Sequence, residues 1–218
     1  LPRRPVRALS RAVAKTSSGA GCKLVPAAGT AGNAAGRALA PFIQSDRTMT
    51  QQTVLLTGFE PYGGRGLNPA AEVTQALSGT RIAGADVIGS VMPVSFSGLR
   101  ERIHRLVQEH CPGTVLCLGL WPGEPTIRLE QVGINLADFE IPDNDGLLLS
   151  GAPVHAPGAS ARFATLPLHA IQRRLLEAGI PARLSRTAGT FRCHATMYSA
   201  LEAVDALGGG ARGGFVPR

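Results

Sequence analysis

An α/β fold with a mixed, mostly parallel sheet and helices on both faces is predicted by three observations. A buried, β-prone run lies in QQTVLLTG, Gln51 to Gly58, and a second lies in TVLCLGL, Thr114 to Leu120. Between and after these runs come segments whose apolar residues recur at helical spacing. Strands that alternate with helices are joined by crossovers, and crossovers place helices against both faces of a sheet.

The elements follow in chain order. After the first strand comes the loop FEPYGGRGLNP, dense in Gly and Pro. Asn68 and Pro69 then open a helix over AAEVTQAL, because Asn is a good N-cap and Pro tolerates the first helical position. ADVIGSVMPVS reads as a second strand, followed by a helix carrying Leu99, Ile103 and Leu106. After TVLCLGL, the stretch TIRLEQVGINLADFEIPDNDG is extended and closes on the turn cluster Pro142–Gly146. A Gly/Pro-rich loop to Gly158 leads to a helix around Thr165–Ala178, and ARLSR is a short strand. A helix then starts near Cys193, with Met197, Tyr198, Leu201 and Val204 on its apolar face, and GGFVPR begins a last strand. No internal repeat is visible.

The chain has 218 residues, 44% hydrophobic and 17% charged, enough for one domain with a sizeable core. The net charge of +7 is a property of one end. Residues 1–48 carry eight basic side chains against Asp46 alone, and the remainder holds 14 basic and 14 acidic residues. Residues 1–48 therefore read as a basic extension outside the domain, and residues 49–218 as the domain itself. The balance within the domain argues against a nucleic-acid partner, and no run of about eighteen apolar residues marks a membrane span. The four cysteines, Cys22, Cys111, Cys117 and Cys193, lack close-pair spacing. A disulfide framework and a zinc site are not expected, and a reducing cytoplasm fits.

The glycine-rich and metal-binding signatures of nucleotide, hydride and zinc chemistry are missing, as is the GxSxG elbow. What remains is Cys193, preceded by the turn-prone TAGT and placed at a helix start. Unpaired N–H groups and the helix dipole favour a thiolate there. Taken alone, such a cysteine is more often an inert buried residue. A nucleophilic thiol needs a proton acceptor, and histidine serves most readily. His104, His110 and His155 read as solvated side chains, and His169 as a packed one. His194 adjoins Cys193, but consecutive helical residues point about 100° apart, so it is poorly placed as the base.

Three blocks, TVLLTGFEPYGGRGLNP, RLEQVGINLADFEIPDNDG and TAGTFRCHATMY, closely resemble blocks of the pyroglutamyl peptidase I (pyrrolidone-carboxylate peptidase) family, in family order and spacing. The resemblance runs from about Thr53 to the end of the chain. It implies a three-layer α/β/α sandwich and a cytoplasmic cysteine exopeptidase that releases N-terminal pyroglutamate from peptides through an acyl-enzyme. No metal or organic cofactor is implied, and a homo-oligomer is compatible with it. On this resemblance Cys193 is the nucleophile, and Glu130 is the carboxylate that orients a catalytic imidazole. Phe59, Tyr62 and Phe191 line the pyroglutamate pocket.

The chain departs from the family pattern at three places. Pro217 stands where the resemblance puts the catalytic histidine. The chain then stops short of the family's final segment, so it is expected to be an incomplete and disabled member. Leu120 and Glu140 replace a Gln and an Arg, which bears on substrate affinity. The alternative reading is a non-catalytic homologue that binds pyroglutamyl or related N-termini.

Overall fold

The computed structural model describes residues 52–208 and 210–217. The basic extension assigned to residues 1–48 lies outside them, as does the Cys22 position.

A seven-stranded sheet forms the middle layer. Its strands are β1 (Gln52–Phe59), β2 (Arg81–Ile82), β3 (Ala85–Met92), β4 (Thr114–Gly119), β5 (Ile127–Glu130), β8 (Ala182–Ser185) and β9 (Arg212–Pro217), in the order β2-β3-β1-β4-β9-β5-β8. β3, β1, β4 and β9 run parallel, as do β5 and β8. The β2–β3 and β5–β9 pairs are antiparallel. The expected mixed, mostly parallel sheet is therefore observed. β6 (Val132–Ile134) and β7 (Ala161–Phe163) form a separate antiparallel pair.

The helices are α1 (Pro69–Leu77), α2 (Leu99–His110), α3 (Leu168–Glu177) and α4 (Arg192–Leu207). Alternation along β1 assigns the outer layers. Leu55 and Phe59 share a buried cluster with Ile103 and Val107 of α2 and with Ala195, Met197 and Leu201 of α4. Gly58, on the opposite face, lies so close to α1 that a Cβ there would sit 2.2 Å from the Ala70 carbonyl oxygen. The outer layers are thus α1 on one face and α2 with α4 on the other. Each fully buried Leu, Val or Phe of this core contributes roughly 1.5–3 kcal/mol.

Local chemistry agrees with the predicted starts. Asn68 caps α1 by accepting from the Ala70 amide at 3.0 Å, with Pro69 in the first position. α4 is buried on almost every side, from His194 to Val204. That is the pattern of a helix enclosed by its own domain rather than one facing water.

Other expectations are corrected. The stretch read as one extended run divides at Gln131, with β5 in the main sheet and β6 outside it. The loop to Gly158 is followed by β7, and α3 begins at Leu168 after Pro167 rather than at Thr165. His169 is exposed at the start of α3, not packed in its middle. His104 and His155 are not free in solvent, because both reach Glu202 on α4, at 3.1 and 2.7 Å.

Glu202 ties α2 to α4. It also pairs with Arg100 at 2.6 Å and lies 3.8 Å from Arg162. Burial works to raise its pKa, but Arg100, His155 and His104 hold it below the ordinary glutamate value. A carboxyl with a lowered folded pKa stabilises above its unfolded pKa, and that stability is lost as pH falls through the folded one. Glu202→Gln should therefore lower stability by about 1–3 kcal/mol at pH 7. The loss should shrink on acidification, which urea unfolding at pH 7 and pH 4 will measure.

Candidate functional site

Five segments converge at the C-terminal ends of β1 and β4. β1 delivers Phe59, the following loop delivers Tyr62, Leu120 follows the end of β4, and the start of α4 carries Phe191, Arg192 and Cys193. The last is the strand pair β9–β5, which brings Glu130 opposite Phe215.

Phe59, Tyr62, Asn68, Val94, Leu120, Phe191, Arg192 and Cys193 line a small, narrow pocket. The rings form a connected wall. Tyr62 and Phe191 lie with centroids 6.3 Å apart, Phe191 and Phe139 at 5.0 Å edge to face, and Phe139 and Phe96 at 5.6 Å. The Tyr62 hydroxyl donates to the Leu120 carbonyl at 3.1 Å, which fixes the ring against the strand end. Phe59, Tyr62 and Phe191 are thus brought together as expected. Leu120 also lines the pocket, whereas Glu140 is exposed and does not.

Sheet alternation places Glu130, Phe215 and Pro217 on one face. Phe215 and Pro217 are two residues apart on β9 and share a face; Glu130 is the partner of Phe215, and Gly119 is the partner of Pro217. A Cβ on Gly119 would meet the Phe215 ring at 2.5 Å and Cys193 Sγ at 3.1 Å. Cys193, Glu130, Phe215 and Pro217 therefore crowd the same side of the sheet, beneath the start of α4. Gly119→Ala should cost about 1–3 kcal/mol through this overlap and displace the thiol. A thermal melt read together with thiol reactivity checks both effects.

Glu130 is wholly buried. Its Oε1 accepts from Arg128 Nε at 3.0 Å, while Oε2 has no hydrogen-bond partner among the described residues. Burial pushes the carboxyl above the ordinary glutamate range, against the opposing pull of Ser185 and Arg128. Arg128 is itself held by Ser185 Oγ at 2.7 Å and stacks 4.0 Å from the Trp121 ring centroid.

The expectation of a thiolate at Cys193 is corrected. Burial pushes the thiol up to about 12, and the partial relief from Arg192 and from the Leu120 amide is smaller. The helix-start effect is worth about 1 kcal/mol at most in ordinary settings, less than the cost of taking an anion out of water. At neutral pH the thiol is protonated and needs a base to become a nucleophile. His194 is not that base: its Nε2 lies 2.8 Å from both the amide nitrogen and the carbonyl oxygen of Ile134. Among the described residues, no histidine hydrogen-bonds Cys193.

Sequence reasoning missed Arg192, Phe139 and Arg128. Only Arg192 carried a signal, as a cation set between the aromatic Phe191 and the thiol.

The fold and pocket together define an α/β protein with an aromatic-walled pocket that ends on a buried thiol. The chain matches the pyroglutamyl peptidase family over residues 52–217. It is 43% identical over 163 residues to a pyrrolidone-carboxylate peptidase of Thermococcus kodakarensis, covering 75% of this chain and 79% of that one. A relative of the same name from Chromobacterium violaceum is 42% identical over 165 residues, covering 76% of each chain. The solved pyrrolidone carboxyl peptidase of Thermococcus litoralis superposes with a TM-score of 0.74 at 36% identity, covering 76% of both chains. This chain belongs to the pyroglutamyl peptidase family.

Proposed function

We propose that this chain is a cysteine exopeptidase that removes N-terminal pyroglutamate from peptides and proteins, with residues 49–218 as its catalytic domain. The observation that carries the reading is the aromatic-walled pocket that ends on the Cys193 thiol. A flat, uncharged lactam suits such walls, because ring faces bury its apolar edges at little desolvation cost. Family membership favours this catalytic reading over a non-catalytic binder.

In the proposed reaction the Cys193 thiol proton passes toward the Glu130 carboxylate and Sγ attacks the carbonyl carbon of the pyroglutamyl residue. The C–N bond then breaks as the leaving amine takes that proton. The resulting thioester is hydrolysed by water, which releases pyroglutamate and restores the thiol. The Leu120 and Cys193 amides, which face the sulfur, suit the developing oxyanion. Glu130 is the carboxylate end of the proton path, since its free Oε2 and raised pKa make it a ready acceptor on the Cys193 side of the sheet. Thiol chemistry of this kind suits a reducing cytoplasm, and no helix among the described residues is long and apolar enough to cross a membrane.

The test is release of a fluorescent amine from an L-pyroglutamyl conjugate beside a prolyl conjugate. Release from the first alone supports the reading; release from neither, by folded protein, overturns it.

A further inference from the structure

The pocket has a hydrogen-bonding deficit that singles out one side chain. Asn68 is held at both polar atoms, its Oδ1 capping α1 and one Nδ2 hydrogen donated to the Glu60 carbonyl at 3.1 Å, which leaves a single amide hydrogen over. The Tyr62 hydroxyl is spent on the Leu120 carbonyl. Phe59, Val94, Leu120 and Phe191 offer no polar side-chain atom. Beside the thiol and that one Asn68 amide hydrogen, the main free donor capacity of the lining side chains is the guanidinium of Arg192.

Arg192 is 2% exposed, and its Nε and Nη1 have no hydrogen-bond partner among the described residues. Its guanidinium carbon lies 3.9 Å from the centroid of the Phe191 ring, which stacks it against the pocket wall, and 5.5 Å from that of Phe139. Among the described residues its ion-pair neighbour is Asp143, whose Oδ2 lies 3.4 Å from Nη1 and also accepts from the Phe96 amide, while Oδ1 accepts from the amides of Asp145 and Leu147. Burial lowers the guanidinium pKa to about 10, so the group keeps its charge at neutral pH. Buried donors left without acceptors are costly, and they are tolerated where a ligand completes them.

We propose that Arg192 is the specificity-determining residue of this pocket, its free guanidinium donors holding the ring carbonyl oxygen of the pyroglutamyl group. The inference rests on the pyroglutamyl reading of the pocket and goes beyond it by assigning ring recognition to one side chain. A lactam carbonyl is a strong acceptor and completes the fork; a five-membered ring of the same shape without it leaves the donors unpaired. A charged prolyl ring would also face the cation directly. Discrimination of this type is large because the wrong ligand strands a buried polar group.

The test is calorimetric and does not depend on turnover. In a Cys193→Ser background, pyroglutamyl-alanine amide is compared with cyclopentanecarbonyl-alanine amide, which keeps the ring size and loses the lactam. The parent should bind the pyroglutamyl peptide roughly 10- to 100-fold more tightly, the value of one hydrogen bond from a charged donor. Arg192→Met, which keeps an apolar chain against Phe191, should erase that preference. Arg192→Lys should retain a reduced part of it, since a point charge replaces the fork. An unchanged preference in Arg192→Met overturns the assignment, as does a parent that binds both peptides equally or neither. If Arg192→Met shows no cooperative melt, an unchanged preference in Arg192→Lys overturns it instead. The hydrolytic reading is tested separately: Arg192-dependent preference without amine release by the Cys193 protein removes hydrolysis and leaves this inference standing.

Discussion

Pro217→His should raise kcat/KM for a pyroglutamyl conjugate by about 10²–10⁴-fold, the usual contribution of a positioned general acid–base. The expectation follows from sheet alternation. A side chain at 217 lies on the same face as Phe215, whose ring reaches the Gly119–Cys193 contact, and Phe215 is the β-partner of Glu130. An imidazole there would stand between a thiol held near 12 and a carboxylate whose Oε2 is unpaired. The thiol needs a carrier for its proton, and the carboxylate needs a donor. The gain should appear mainly in kcat, because the ring pocket is untouched, and it should fade as pH falls and the imidazole charges. An alkylation profile gives an independent reading. In the parent, Cys193 should react slowly with iodoacetamide at pH 7 and faster at higher pH. In Pro217→His the rise should begin at lower pH. Unchanged profiles for both rate and alkylation would show that position 217 does not face the thiol.

Cys193→Ser should remove turnover to the limit of detection, in the parent and in Pro217→His alike. Oxygen in place of sulfur keeps the side-chain shape but raises the cost of forming the anion in a site where burial already opposes it. Loss of a nucleophile costs several orders of magnitude, since nucleophile and base act as a unit. Stability should change little, because the substitution is close to isosteric. Turnover retained in Cys193→Ser would exclude the thioester path.

Much of the frame was legible because it rests on local signals. β1 and β4 are short apolar runs bounded by glycine, and the Asn68–Pro69 start of α1 is a cap whose partner lies two residues away. The aromatic pocket was legible only through the three-block resemblance, since Phe59 and Phe191 are separated by most of the chain. What was not legible depends on distant partners. β2 and β7 span two and three residues, and pairing rather than composition makes them strands. His104 and His155 look solvated until α4 brings Glu202 between them. At Cys193 the dipole argument is local and points to a thiolate, whereas burial is tertiary and outweighs it. Arg192 stands in the sequence beside the thiol, yet its role depends on Phe191, Phe139 and Asp143 closing around it.

The central claim, that Cys193 is the nucleophile served by a pyroglutamyl pocket, is tested most directly by peptide mapping after incubation with an L-pyroglutamyl chloromethyl ketone. The account predicts a thioether on Cys193, blocked by excess pyroglutamyl peptide, while exposed Cys111 shows no such protection and buried Cys117 stays unmodified. Labelling of Cys111 without Cys193, or labelling of Cys193 that the peptide does not block, would contradict it.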